Sequence, residues 1–197
     1  MIQKLKLAPL QPEYFERTIK LGNDVHGDDY LNNGILEKVY EKSIKDGQNC
    51  SFVMLDTADH SAEAKAVGFR LTYAPGNWSI DEWCSPDLWK LPIDQLCYFK
   101  SSTVDPNYLR LGIARQMLEA SIEVAKQLDA RGGICHTWMQ SPGNAAYKYF
   151  TKCGGSLLKT HANRWLEDSY AGYKCVVCGD DVYCHCDAGE MILSFED

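Results

Sequence analysis

Two stretches of the chain hold residue types whose spacing could do chemistry. The first runs from Val104 to Ala114, V-D-P-N-Y-L-R-L-G-I-A, where an apolar run passes through Pro106 into a glycine-containing turn and a helical pattern. The first amides of a helix lack partners within it, and the helix dipole places partial positive charge there, so this corner suits an anionic pyrophosphate. Gly112 removes the Cβ that would hold a ligand away, while Arg110 and Arg115 add charge for phosphate oxygens. Neither G-x-x-x-x-G-K-[ST] nor G-x-G-x-x-G is present, which sets aside the common nucleoside-triphosphate and dinucleotide corners.

The second stretch is Tyr173 to Asp187, Y-K-C-V-V-C-G-D-D-V-Y-C-H-C-D, with Cys175-x-x-Cys178 and Cys184-x-Cys186 on either side of Gly179. Two close thiol pairs can grip one tetrahedral zinc ion, and the glycine lets the chain fold back between them. His185 could replace one thiolate, and free thiols or a redox pair are the alternatives. Four thiolates leave no open coordination position, so the zinc expected at Cys175, Cys178, Cys184 and Cys186 is structural. Structural zinc in small peptides contributes about 10–16 kcal/mol of apparent binding energy, enough to order a polar segment with no core of its own.

These stretches need a scaffold, and 197 residues with 45% hydrophobic and 24% charged content fit one well-cored domain without repeats or low-complexity tracts. A net charge of -7 argues against a nucleic-acid surface. No apolar run approaches the ~18 residues of a membrane span, and the N-terminal residues lack a signal-peptide core, so a cytoplasmic protein without membrane contact is expected. The odd count of nine cysteines fits a reducing compartment better than a disulfide framework. Cys50, Cys84, Cys97, Cys135 and Cys153 read as small buried hydrophobes.

In chain order, alternation predicts a strand over Ile2 to Leu7, ended by Pro9 and Pro12, then a helix around Glu13 to Leu21. Apolar spacing from Leu31 to Ile44 predicts a second helix ending near Gly47. Ser51 to Leu55 and Ala66 to Tyr73 read as a hairpin across a polar connection. The Trp-, Pro- and Asp-rich stretch that follows reads as an insertion with short helical pieces, its three Trp either anchoring it or lining an acceptor pocket. Leu96 to Val104 is a strand into the corner, and Ile113 to Leu128 traces one helical face. Gly133 to Gln140 is a strand, Asn144 to Cys153 a helix ended by Gly154-Gly155, Ser156 to Thr160 a strand, and Glu190 to Phe195 the last.

The order of these elements and two motifs resemble the GNAT superfamily of N-acetyltransferases. Val104-Asp105-Pro106-Asn107-Tyr108 matches the family prelude V-x-P-x-[YF], and Gly112-Ile113-Ala114 closes its [QR]-x-x-G-x-[GA] motif, with Leu109 at the usual Gln/Arg position and Arg110 beside it. Asn144, Phe150 and Gly154 keep the spacing of the second motif. The resemblance implies an α+β (α/β) fold with a mixed, mostly antiparallel sheet flanked by helices. It covers a single domain over 1–197, with a zinc knuckle inserted at about 162–188 before the last strand.

By the same resemblance, acetyl-CoA would be held by Ser102, Thr103 and Val104 on a splayed strand and by Leu109, Arg110, Leu111, Gly112, Ile113, Ala114 and Arg115 at the corner. Asn144, Tyr147 and Phe150 would hold it from the next helix. The implied activity is direct transfer of acetyl to a primary amine of a small molecule, peptide or protein. The alternative is a catalytically silent acyl-CoA-binding module whose zinc knuckle docks a protein. Phe150 cannot supply the hydroxyl that many members use to protonate the leaving thiolate, which turns attention to Tyr149 and Tyr147. Candidates for the base are His136, with a suitable unperturbed pKa, and His26, Asp81 and Glu82 in flanking loops. A homodimer is an open expectation.

Overall fold

The computed structural model describes residues 4–58, 64–179 and 182–195. Ile2, where the first strand is expected to begin, the middle of the polar connection at 59–63, and Asp180 and Asp181 in the knuckle lie outside the described residues. One seven-stranded sheet has the order β1 (Leu5–Pro9), β4 (Phe52–Asp56), β5 (Lys65–Tyr73), β6 (Leu96–Val104), β7 (Gly132–Trp138), β9 (Ala188–Ser194), β8 (Ser156–His161). Its neighbours are antiparallel except β6 and β7, as the expected mixed sheet requires. A separate short hairpin, β2 (Ile44–Lys45) with β3 (Gln48–Asn49), ends the second helix and was not anticipated.

Side-chain alternation along β5 builds the two faces. Phe69 and Leu71 are buried with Leu21, Leu36 and Val39 from α1 (Phe15–His26) and α2 (Asn33–Ser43). On the other face lies α3 (Ile113–Gln127), which buries Ile113, Met117, Leu118, Ser121 and Ala125. There Thr72 Oγ1 lies 3.4 Å from Ser121 Oγ, and a Cβ on Gly68 would press to 2.9 Å of Ile113 Cγ2. The glycine therefore lets the start of α3 approach the sheet. Beside α3, α4 (Ala145–Lys152) buries Phe150 in the core cluster around Phe99, Leu118 and Met191.

The feature that positions the site is the parting of β6 from β7. Their parallel pairing consists of Leu96↔Gly132, Cys97↔Gly133 and Tyr98↔Ile134, although β6 continues to Val104 and β7 to Trp138. On its other edge β6 pairs Thr72↔Phe99 and Leu71↔Ser101, which leaves Lys100 as the extra residue of a bulge. A bulge bends and twists its strand, and here it falls just after the last β6–β7 pair. Beyond Tyr98↔Ile134 the two strands no longer pair, and the gap between them forms a wedge.

The expected boundaries hold to within a few residues, with physical reasons for the differences. The first strand runs through Pro9, a position where an edge strand tolerates proline, and a 3-10 turn over Pro12–Tyr14 precedes α1. The insertion contains 3-10 turns at Pro86–Leu88 and Ile93–Gln95, and a short α5 (Leu166–Tyr170) lies between β8 and β9. Trp78 and Trp89 are buried as anchors, whereas Trp83 stays partly exposed.

Candidate active site

The corner after β6 is braced from below. Asp105 Oδ1 accepts from the Asn107 amide at 2.9 Å and so closes the turn over Pro106–Tyr108, while Lys65 donates to Oδ2 at 2.7 Å. Burial works to raise the Asp105 pKa, but Lys65 and the Asn107 donors outweigh it and hold the carboxyl below its ordinary value. Tyr108 donates to Asp56 Oδ2 at 2.7 Å, tying the turn to β4. The chain then takes left-handed backbone at Arg110 (φ 66) and at Gly112 (φ 75), where α3 begins. The first helical bond runs from Gln116 N to Gly112 O at 3.0 Å, which leaves the Ile113, Ala114 and Arg115 amides at the helix end.

A Cβ on Gly112 would come no closer than 3.8 Å to any neighbour, the Gln116 amide nitrogen. The ground over the helix end is open, so the glycine serves backbone conformation and access. Leu109 and Leu111 flank it as exposed side chains, and Arg115 is turned along the helix to Glu119 at 2.7 Å. Ser102 is exposed on the β6 stretch that has left β7. Thr103 faces the other way: it is buried, with Oγ1 2.8 Å from His26 Nε2.

Across the cleft, Asn144 begins α4 in left-handed backbone (φ 53), and its Oδ1 is shielded from solvent without a hydrogen-bond partner. A buried acceptor of this kind lacks only a donor. Phe150 packs edge-on against Phe99 with ring centroids 5.7 Å apart. Tyr147 packs against the same core cluster. Tyr149 donates to Ala114 O in the first turn of α3 at 2.8 Å, and burial raises its pKa to about 12. Its hydroxyl is thus engaged in joining α4 to α3.

On the opposite mouth of the wedge, Tyr98 and His136 meet at 3.0 Å, phenol oxygen to Nδ1, and His136 Nε2 lies 2.6 Å from Trp83 O. A carbonyl can only accept, so Nε2 carries the hydrogen and Nδ1 of the neutral ring accepts from the Tyr98 hydroxyl. Burial lowers the His136 pKa below its ordinary 6.5. The Trp83 ring lies edge-on to His161, whose Nε2 donates to Glu190 Oε2 at 3.0 Å. Glu190 Oε1 accepts from Ser85 N at 2.8 Å and Trp89 Nε1 at 2.7 Å, so a fully buried carboxylate bolts the insertion to β9. Among the expected bases, His26 is engaged with Thr103, Asp81 Oδ1 accepts from Trp83 N at 3.0 Å within the insertion, and Glu82 is exposed. Tyr98 and Glu190 gave no signal in the sequence, because a strand Tyr and a strand Glu have no motif.

The knuckle brings Cys175, Cys178, Cys184 and Cys186 together with all four Sγ atoms within 4.8 Å of one another. Cys186 Sγ lies 3.8 Å from Cys175 Sγ and 3.6 Å from Cys178 Sγ. Tetrahedral zinc with bonds of about 2.3 Å sets its sulfurs about 3.8 Å apart, so the donor set fits the metal. Gly179 turns the chain with φ 94, and its amide bonds Cys175 O at 2.9 Å. His185 points to Asn163 Oδ1 at 3.0 Å and is not part of the thiol group. The knuckle meets both the insertion and the loop after α1. Arg164 N bonds Cys186 O while its guanidinium lies over the Trp83 ring at 5.0 Å, and a Cβ on Gly27 would lie 3.9 Å from Val176.

Residues 84–155, which include the corner and the start of α4, match the family profile described as "Acetyltransferase (GNAT) family". That stretch is similar to GNAT acetyltransferases. The whole chain has the GNAT fold. NAA60 of Arabidopsis thaliana, solved with acetyl-CoA, superposes with a TM-score of 0.70 at 15% identity over 98% of this chain and 100% of that one. The ribosomal-protein-S18-alanine N-acetyltransferase of Escherichia coli gives 0.66 at 14% identity, over 98% and 96% of the two chains. Naa20 of Chaetomium thermophilum, solved with a bisubstrate analogue, gives 0.66 at 16%, over 96% and 86%. No curated protein matches the sequence. Among the described residues, no helix is long and apolar enough to cross a membrane.

Proposed function

We propose that this GNAT-fold chain transfers the acetyl group of acetyl-CoA directly to a primary amine, with peptide N-termini the first acceptor class to test. The observation that carries the reading is the wedge after Tyr98↔Ile134, with free α3 amides and an unpartnered Asn144 Oδ1 on one face and the Tyr98–His136 pair on the other. Asn144 Oδ1 suits an amide donor of the pantetheine arm, and the Ile113, Ala114 and Arg115 amides suit the pyrophosphate. The β6 edge that no longer pairs with β7, from Phe99 to Val104, offers main-chain donors to the acetyl carbonyl as negative charge develops there. The acceptor's proton passes to the Tyr98 oxygen as Tyr98 hands its own to His136 Nδ1, so neutral His136 is the base at one remove. The peptide proposal draws on the bisubstrate analogues bound by similar folds and on an acceptor mouth bounded by loops on several sides. Zinc held by the four cysteines would order the knuckle without entering the reaction.

The silent-module reading has one observation in its favour: the knuckle exposes Tyr170, Val176, Val182 and Tyr183, an apolar surface suited to a protein. One experiment separates the two. Release of free coenzyme A is followed as the protein is mixed with acetyl-CoA and peptides of varied N-terminus, with Gly112→Glu as control. Turnover with at least one peptide, lost in the control together with acetyl-CoA binding, is the expected result. Tight acetyl-CoA binding without turnover across the panel supports the silent module, and no binding at all rejects both readings.

A further inference from the structure

Among the described residues, Arg70 is a buried cation without a counter-charge. It lies on β5 opposite Ser102 of β6, on the face covered by α3 and α4, and is only 3% exposed. Its guanidinium carbon is 5.4 Å from the Phe99 ring centroid and 6.0 Å from that of Tyr149. Among the described residues its one side-chain hydrogen bond is a long 3.5 Å contact from Nη2 to the Tyr149 oxygen, and Nε is buried without a partner there. No described carboxylate lies within ion-pair distance of it. A guanidinium has five donors and cannot shed its charge, so burying one among rings is costly unless an anion arrives.

The location says which anion. Phe99 is the first β6 residue beyond the last β6–β7 pair, so Arg70 stacks at the vertex of the wedge. Cys135, the β7 residue just beyond that pair, is within reach of the Arg70 charge, though burial outweighs it and raises the thiol's pKa. Gly68, two residues earlier on the same face, already lies under the first residue of α3, so Arg70 is deeper in the cleft than the amides suited to a pyrophosphate. Phe99 in turn abuts Phe150, the side chain without a hydroxyl where a proton donor is expected, and Tyr149 gives its proton to Ala114 O. The vertex therefore holds a fixed positive charge and no free acid.

We propose that Arg70 is the counter-charge for the departing coenzyme A thiolate. This rests on the acetyltransferase reading above and deepens it. The acceptor nitrogen forms its bond to the acetyl carbon, the carbon–sulfur bond breaks, and sulfur keeps the bonding pair. The nitrogen's proton goes through Tyr98 to His136. Sulfur leaves unprotonated, paired with the guanidinium, and takes a proton from water after release.

The test measures binding rather than turnover alone. Affinities for coenzyme A, acetyl-CoA and desulfo-coenzyme A are determined from about pH 6 to about pH 10, across the ordinary thiol pKa of about 8.5. For the wild type, coenzyme A affinity relative to the two thiol-free ligands is expected to rise about tenfold or more with pH, which is one unit of thiol pKa depression. Arg70→Met should lose this rise while still binding acetyl-CoA, and Arg70→Lys should keep part of it. In turnover, Arg70→Met should lower kcat with little change in KM for acetyl-CoA. A wild-type ratio that stays flat with pH overturns the proposal even if Arg70→Met does not fold. The same rise in a folded Arg70→Met also overturns it. If the wild type binds none of the three ligands, the acetyl-CoA reading itself fails.

Discussion

At the scale of single residues, the proposed acceptor mouth depends on which nitrogen of His136 holds the hydrogen. Trp83 O accepts from Nε2, so Nδ1 is left to accept from Tyr98, and burial keeps the ring neutral. Because the folded pKa lies below the ordinary 6.5, the base-competent form is present at neutral pH and is lost only as pH falls through that lowered value. The expected pH profile of kcat/KM therefore rises to a plateau with a midpoint below 6.5. Tyr98→Phe should lower kcat by about 10²- to 10⁴-fold, the usual worth of general-base assistance, with acetyl-CoA affinity unchanged. A profile midpoint unmoved by substitution of His136, or a Tyr98→Phe variant at full rate, would remove the pair from the reaction. His136 could be picked out of the sequence because histidines are few, but Tyr98 could not, since only the β6–β7 register places its hydroxyl on the ring.

At the scale of elements, what the sequence shows well is what is local. The corner was legible because Val104 to Ala114 is one continuous turn whose glycine and prolyl positions set their own backbone. The thiol group was legible because its four members fall within twelve residues. Neither the bulge at Lys100 nor the wedge it opens has a local signature, because both arise from register against β5 and β7. The same contrast bears on the knuckle, which has a metal-ligand pattern of its own but acts through contacts with Trp138, Trp165 and, by way of Arg164, Trp83. Protein purified without added metal should contain about one zinc per chain, by the four-thiolate stoichiometry. Stripping it with a chelator should shift the tryptophan emission of the knuckle's neighbours and raise the acceptor KM, while far-ultraviolet dichroism from the sheet persists. Metal-free protein with an ordered knuckle and unchanged acceptor KM would return the cysteines to free thiols.

At the scale of the whole molecule, Glu190 joins parts that lie far apart in the chain. Its partners Ser85, Trp89 and His161 are 105, 101 and 29 residues away, so no motif could announce the arrangement. The carboxylate connects β9 to β8 and to the insertion that presents Trp83 O to His136, and thus the position of the proposed base depends on it. Burial alone would raise its pKa, but the donors from His161, the Ser85 amide and Trp89 prevail and hold it below the ordinary 4.5. A carboxyl with a depressed folded pKa contributes stability that is full above its unfolded value and is lost as pH falls through the folded one. Glu190→Gln turns an amide NH₂ toward groups that are themselves donors, and should cost about 1–3 kcal/mol at neutral pH. The decisive comparison is the difference in unfolding free energy between wild type and Glu190→Gln across pH. It should be constant above about pH 5 and shrink below it, as the wild-type carboxyl takes up its proton. A difference that stays level into strong acid would mean that the charge on Glu190 is not what holds the insertion, and the link from β9 to the base would have to run through packing of Trp89 alone.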